Sequence, residues 1–388
     1  MVAEYLRAPL SILMQLIHTD DEDELLALIS LSMLPGIGSV MARQLITHFG
    51  TAAEVLRARK SVLERIPGIG RERADAVIRS DVHFRAEQEL LFIKRHNVQV
   101  LSFLSPQYPR RLRQCNDAPV VLYSKGNASL NSERVAAVIG TRKITANGRS
   151  LVEELVRLLS AYGVTVVSGL AYGVDIAAHR SSLEYGNPTI AVVAHGMDRI
   201  YPSVHRSVAE QMLDKGGLIT EFPSGTRPDR DNFPARNRIV AGMTDATIVI
   251  ESAERGGALI TAMFANDYNR DVFAFPGRPS DEFSRGCNML IRTNRAMLVD
   301  NGVQIIEMMN WERRPSDETR IIPELPLFDD VPPVYKEILQ YLKDNGMRHL
   351  DEIAWNCRLP VSKASALLLE MEFKGWVKPA PGKVFRLV

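Results

Sequence analysis

The sequence predicts an α/β protein: a Rossmann-like, doubly wound, mostly parallel sheet at the centre, with a helical domain before it and a small module after it. Three observations carry this. From Asn97 onward, short Val- and Ile-rich runs alternate with helix-length segments. Those runs are nearly continuous in apolar residues, as strands buried on both faces must be, and strand–helix alternation is how a parallel sheet is built. At both ends the pattern changes, with a repeated Pro-Gly-Ile-Gly motif before the sheet and five prolines between Trp311 and Pro333 after it.

The expected segments are 1–96, 97–310, 311–333 and 334–388. In the first, Leu34-Pro-Gly-Ile-Gly38 leads a helical stretch to His48, and Ile66-Pro-Gly-Ile-Gly70 leads another from Arg71 to Ile78. Glycine frees the backbone for the tight turn and leaves amides exposed at the next helix start. Paired copies at this spacing resemble a helix-hairpin-helix domain. Its turns either hold a phosphate oxygen without reading a base or only pack a scaffold. In the second segment, Val98 to Leu104 and Pro119 to Tyr123 read as strands. After them come Arg134 to Gly140, Val164 to Ser168, Thr189 to Ala194, Gly217 to Phe222, Asp245 to Glu251 and Asp271 to Phe275. Helices are expected at Gly148 to Tyr162, Val174 to Glu184, Val204 to Lys215 and Ala258 to Asp267. The proline-rich 311–333 reads as a linker. Beyond it, Val334 to Asn345, His349 to Trp355 and Ser362 to Lys374 read as helices before a short hairpin. That is a winged-helix pattern, suited to duplex DNA through its second turn-pair helix, or to a protein partner.

Composition narrows the function classes. With 388 residues, 46% hydrophobic and 24% charged, the chain is an ordinary globular one with ample core. No apolar run approaches a membrane span, and Ala8 to Ile17 lacks a cleavage motif, so a cytoplasmic protein is expected. Cys115, Cys287 and Cys357 lie far apart, giving no metal spacing and suiting a reducing compartment. The net charge of +1 does not announce a polyanion partner, so such a role must rest on local patches. One runs from Val40 to Ser80, with eight Lys/Arg against four Asp/Glu; a second is Arg142, Lys143 and Arg149.

The most informative stretch is Pro228 to Gly242, which places Arg230, Arg236 and Arg238 around Phe233 in a loop that turns into a helix between two predicted strands. Loops at the carboxyl ends of parallel strands hold the ligands of open α/β sheets. Guanidinium forks match phosphate oxygens, and an aromatic among them offers a stacking face for a base. The alternative is a surface turn whose arginines pair with Asp229 and Asp231. Other strand ends add Gly140-Thr-Arg142, Ser168-Gly169 followed by Gly173, Gly196 with Tyr201-Pro202, Glu221-Phe-Pro223, and Glu251 before Arg255-Gly-Gly257. Gly169 and Gly173 would let the backbone approach a phosphate. Neither a Gly-x-Gly-x-x-Gly nor a Gly-x-x-x-x-Gly-Lys-Ser/Thr motif is present, which disfavours a dehydrogenase or a P-loop ATPase.

The ordered set Tyr108-Pro, Gly140-Thr-Arg142, Ser168-Gly-Leu-Ala-x-Gly-x-Asp175, Ala177-Ala-His179, Tyr201-Pro202, Glu221-x-Pro223, Phe233-Pro-x-Arg236-Asn237-Arg238 and Pro276-Gly277 resembles the DNA-processing protein A (DprA/Smf) family over roughly Asn97 to Met309. The resemblance implies a homodimer that binds single-stranded DNA, protects incoming strands in natural transformation and helps load RecA recombinase. It implies no cofactor and no metal. Carried onto this chain, Arg142 holds a phosphate, and Arg230 and Phe233 contact the strand by charge and stacking. Arg236 and Arg238 line the groove, or lock the loop to Glu221 or Glu251. The candidate contact set is Arg142, Lys143, Ser168, Gly169, Arg230, Phe233, Arg236, Asn237 and Arg238. Two departures stand out: Thr141 replaces a serine, and Asn294 stands where the family has glycine, a place asparagine can fill because it tolerates left-handed angles.

Other readings stay open. Ser168, Asp175 and His179 could suggest a hydrolase, but no Gly-x-Ser-x-Gly surrounds the serine. His195 is expected to be a satisfied loop or core histidine. A different class is a nucleotide-binding enzyme such as a nucleoside-monophosphate phosphoribohydrolase, of whose Pro-Gly-Gly-x-Gly-Thr signature Arg255-Gly-Gly-Ala is a partial echo. A third is a regulator that contacts duplex DNA through the terminal modules.

Overall fold

The computed structural model describes residues 22–79, 81–312, 333–374, 376–380 and 383–387. Ala8 to Ile17 and nearly all of the linker lie outside the described residues. The strands of the central sheet are β1 (Gln99–Ser102), β2 (Val121–Gly126), β3 (Val135–Ile139), β4 (Thr165–Ser168), β5 (Thr189–Val192), β6 (Gly217–Thr220), β7 (Ala246–Val249), β8 (Asp271–Ala274) and β9 (Met297–Leu298). Their order is β1-β2-β6-β5-β4-β3-β7-β8-β9. From β6 through β9 every neighbour is parallel, and β2 joins β6 and β1 antiparallel. Chain order runs outward from β3 through β4, β5 and β6, then restarts beside β3 with β7. The reversal creates a switch point between the carboxyl ends of β3 and β7, where such sheets leave a crevice.

Both faces of the sheet are covered, as the continuous apolar runs require. Val135, Ala137 and Ile139 of β3 enter one hydrophobic cluster, and Ala136 and Val138 enter another. Strand β8 divides in the same way, with Val272 and Ala274 in the first cluster and Phe273 in the second. The helices of this unit are α1 (Glu22–Ser32), α2 (Ser39–Phe49), α3 (Ala52–Arg57), α4 (Lys60–Leu63), α5 (Arg71–Arg79), α6 (Val82–His96), α7 (Arg110–Arg113), α8 (Ala146–Ala161), α9 (Val174–Glu184), α10 (Arg206–Met212), α11 (Asn232–Gly242), α12 (Gly257–Asp267), α13 (Arg285–Arg292) and α14 (Gly302–Met308). Helix α11 begins at Asn232, so Arg236 to Arg238 are helical rather than part of the preceding loop.

The repeated turns form as their glycines require: Gly36 and Gly68 have φ of +76° and +84°, a region closed to most side chains. Leu28, Ile46 and Leu90 of the helical segment share a cluster with Val121 and Ile139 of the sheet. The expected boundary near residue 96 therefore separates two kinds of local structure inside one compact unit, Met1–Asp317. Asn294 adopts φ of +55°, the left-handed turn anticipated from its side chain.

The second unit, Glu318–Val388, contains α15 (Pro333–Asn345), α16 (Leu350–Asn356) and α17 (Val361–Phe373). Strands β10 (Arg348–His349), β11 (Val377–Ala380) and β12 (Val384–Leu387) form a sheet in the order β10-β12-β11. Ile338, Leu342, Ile353, Leu368 and Met371 close its separate core.

Candidate nucleic-acid interface

The switch point opens into a cavity of about 730 Å³. Its floor is the end of β3, Ile139 to Arg142; one wall is the start of α11 with Phe233, Pro234 and Asn237, and another is the loop into α12 with Arg255 to Gly257. Arg142 extends over the Phe233 ring, its guanidinium carbon 5.0 Å from the centroid. A cation above an aromatic face is a favourable pair. Arg142, Lys143, Arg230 and Arg255 form no ion pair among the described residues. Asp229, the expected partner of Arg230, instead accepts that residue's own backbone amide at 2.5 Å. These cations therefore keep their charge for a ligand.

The loop that presents Arg142 is held from below. Thr141 donates its amide to the Glu251 carbonyl at 2.7 Å, and the Glu251 carboxylate accepts the Thr145 amide at 3.0 Å and the Thr145 hydroxyl. Gly148 is glycine because a Cβ there would lie 2.5 Å from that carboxylate. Gly173, at φ of +79°, passes against the Thr141 carbonyl with no room for a side chain. Lys143 is exposed on the same turn, its amide donated to the Thr141 hydroxyl at 3.1 Å.

Four expected contact residues are engaged by protein partners: Ser168 and Arg238 lie outside the cavity lining, whereas Gly169 and Arg236 line it. Ser168 is fully buried and donates its hydroxyl to the Val138 carbonyl at 2.7 Å. Gly169 donates its amide to Asp175 at 3.1 Å, and the Arg236 guanidinium occupies the space in front of its Cα. Its lack of a side chain serves that packing rather than a phosphate. Arg236 is 4% exposed and donates to the Gly169 and Val192 carbonyls. Burial pulls its pKa below the ordinary arginine value, with Asp175 opposing the shift. Arg238 donates to the Asp117 carbonyl and pairs with Glu221, one of the two locking roles open to it. The reason is helical geometry. At 3.6 residues per turn, Phe233 and Asn237 share the cavity face while Arg238 is carried round to the core side. Asn237 lines the cavity and donates to the Gly257 carbonyl at 3.4 Å.

Tyr172 and Tyr201, about half exposed, add to the expected set. They line a small cavity of about 50 Å³ that joins Arg142 and Phe233, and Tyr201 lies 6.4 Å from the Phe233 ring. Tyr201 belongs to the Tyr201-Pro202 strand end marked in the sequence, whereas Tyr172 gave no local signal, since an exposed tyrosine and a core tyrosine look alike. His195 is satisfied as expected, with Nδ1 at 2.9 Å from the Gly196 carbonyl and Nε2 accepting the Tyr201 amide at 3.2 Å. His179 is buried against the Thr189 hydroxyl at 2.7 Å, and burial drives its pKa down to about 3. Ser168 and His179 are thus spent in separate hydrogen bonds. No group of His, Cys, Asp or Glu with metal-binding geometry occurs among the described residues. No described helix is long and apolar enough to cross a membrane.

The terminal modules differ in what they present. The first hairpin faces the sheet: Arg43 of α2 donates to the Cys115 carbonyl at 2.6 Å and lies over Phe103. On α17, the second helix of the turn pair, Lys363 is outnumbered by Glu370 and Glu372, and Leu369 and Phe373 are exposed.

Comparison with known proteins agrees with this architecture. The family profile described as DNA recombination-mediator protein A matches residues 99–310. A DprA winged helix domain matches 323–383, and a SAM-like helix-hairpin-helix tandem matches 26–80. Protein Smf of Synechocystis sp. is 32% identical over 381 residues, covering 90% of this chain and 96% of that protein. Protein Smf of Escherichia coli is 32% identical, covering 78% of this chain and 80% of its own length. The X-ray structure of DNA processing protein A from Streptococcus pneumoniae superposes with a TM-score of 0.63 at 29% identity, over 75% of this chain and 99% of that one. The Helicobacter pylori DNA processing protein A, solved for its single-stranded DNA binding mode, gives 0.51 at 27% identity, over 55% and 97%.

Proposed function

The chain belongs to the DNA recombination-mediator protein A family, and from this premise we propose that it binds single-stranded DNA along the switch-point cavity. In that role it protects incoming strands and helps load RecA recombinase onto them during natural transformation and recombination, acting as a cytoplasmic homodimer. The observation that carries this reading is Arg142 poised over Phe233 beside Lys143, Arg230 and Arg255, with none of these cations in an ion pair among the described residues. Cations without sequence-reading geometry bind the backbone, and a flat ring accepts any base, so binding is tight, salt-sensitive and indifferent to sequence. The Helicobacter pylori relative, described by its single-strand binding, supports the choice of ligand.

The role is that of a mediator rather than an enzyme. Of the Pro-Gly-Gly-x-Gly-Thr signature of a phosphoribohydrolase, Arg255-Gly-Gly-Ala is only a partial echo. Incubation with nucleoside monophosphates should release no free base; release would favour the hydrolase. Deleting the C-terminal unit should leave single-strand preference intact, and a preference for duplex that vanishes on the same deletion would favour a duplex regulator.

The direct test is titration of labelled oligonucleotides. Arg142→Ala should weaken single-strand binding strongly and lower the salt slope by about one, with folding unchanged. Phe233→Leu should cost ~1–3 kcal/mol with the slope preserved, because stacking releases no counterion. Wild-type binding in both variants would remove the site.

A further inference from the structure

The wall of the cavity opposite β3 carries a second cluster, apart from the ring and the cation above it. Helix α12 begins there at Gly257, after Arg255-Gly256. No side chain caps it, and the amides of Gly257 and Ala258 have no protein acceptor among the described residues. Gly256, Gly257 and Ala258 all line the cavity, and a Cβ on Gly257 would meet nothing within 4 Å. One turn later Thr261 lines the same cavity; it is 3% exposed, and its hydroxyl makes no hydrogen bond among the described residues. That hydroxyl opens onto the cavity rather than being sealed in the core, and uncapped amides at a helix start favour an anion. Arg255 stands exposed beside them. Of the carboxylates lining the cavity, Asp175 is taken by the Gly169 and Ala171 amides, and Glu282 is exposed.

Position supplies the link to the strand. Asn237 donates to the Gly257 carbonyl at 3.4 Å, and Phe233 lies one turn earlier on α11, about 6 Å along its axis. A nucleotide whose base rests on Phe233 has its phosphate within reach of the α12 start. We propose that this helix start is a second anion subsite, where the Gly257 and Ala258 amides, the Arg255 guanidinium and the Thr261 hydroxyl hold one nucleotide phosphate. The assignment rests on the cavity being a single-strand site. The phosphate is an internal phosphodiester or a terminal 5′-phosphate; the recognising chemistry is the same.

Three substitutions in the full chain test it. Gly257→Pro removes one amide while keeping the helix, because Gly257 is the first helical residue and Gly256, at φ −77° and ψ 148°, already has the extended conformation that precedes proline. Thr261→Val removes the hydroxyl at constant shape, and it carries the test if Gly257→Pro fails to fold. Arg255→Ala removes the charge. Fluorescence anisotropy with oligothymidylates of one length, with and without a 5′-phosphate, is read alongside Arg142→Ala. Gly257→Pro and Thr261→Val should each weaken binding about five- to tenfold, and Arg255→Ala should lower the salt slope by about one. Equal losses on both oligonucleotides assign an internal phosphodiester; losses only on the phosphorylated one assign a strand end. If Arg142→Ala weakens binding while all three variants bind like the parent, the subsite is overturned and the strand site stands. If Arg142→Ala is also silent, the strand site fails and the subsite falls with it.

Discussion

Arg142 and Arg238 show how one residue type takes two roles within one rim. Arg142 is exposed at a strand end, paired only with the face of a ring. Arg238 is nearly buried, donating to the Asp117 carbonyl and the Glu221 carboxylate. Burial raises the Glu221 pKa and Arg238 holds it down, so removing the arginine leaves a carboxylate stranded out of water. Arg238→Ala should therefore cost about 3–5 kcal/mol of folding stability. Chemical denaturation would read that loss, while single-strand affinity of the folded protein stays within about twofold, since no phosphate contact is removed. An affinity loss without a stability loss would return Arg238 to the binding surface.

At the scale of elements, α9 is tied to β5 through His179, whose Nδ1 sits 2.7 Å from the Thr189 hydroxyl with no exposed surface. Burial holds this imidazole neutral, with its pKa at about 3 against 6.5 for an ordinary histidine. A histidine depressed in the folded state binds fewer protons than the same residue unfolded. Its contribution is complete above pH 6.5 and is lost as pH falls toward 3, at up to about 1.4 kcal/mol per pH unit. Melting temperatures from pH 7 to pH 4 should thus fall more steeply for the parent than for His179→Gln. Parallel curves would mean that the imidazole does not titrate with folding. Helix α11 makes a related point about elements. Its start converts a run of arginines into opposite faces, sending Phe233 to the cavity and Arg238 inward, while Arg236 is buried against Gly169.

For the whole molecule, the two compact units have separate cores, and the cavity is built entirely within Met1–Asp317. A chain ending at Asp317 should keep single-strand affinity within about twofold, because no phosphate contact proposed here lies beyond it. A tenfold loss would place part of the strand site in the C-terminal unit. The N-terminal helices behave differently. They share a hydrophobic cluster with the sheet, and Glu89 of α6 accepts the Ser224 amide at 2.9 Å and its hydroxyl at 2.5 Å. Removing them would expose core rather than free a separate domain.

Local sequence determined the sheet strands longer than two residues, the two glycine turns, the winged-helix elements and the placing of Arg142 and Phe233 at strand and helix ends. Periodicity, glycine and charge are local, and a strand buried on both faces writes its burial into every residue. What the tertiary structure alone decided was which polar groups remained for a ligand. Ser168, Arg236 and Arg238 carry polar groups that would suit a ligand, but their partners Val138, Val192 and Glu221 come from other strands and their ends. Thr261 was brought to the cavity in the same way. Whether a charge faces water or a carbonyl depends on groups distant in the chain, and only folding puts them next to each other.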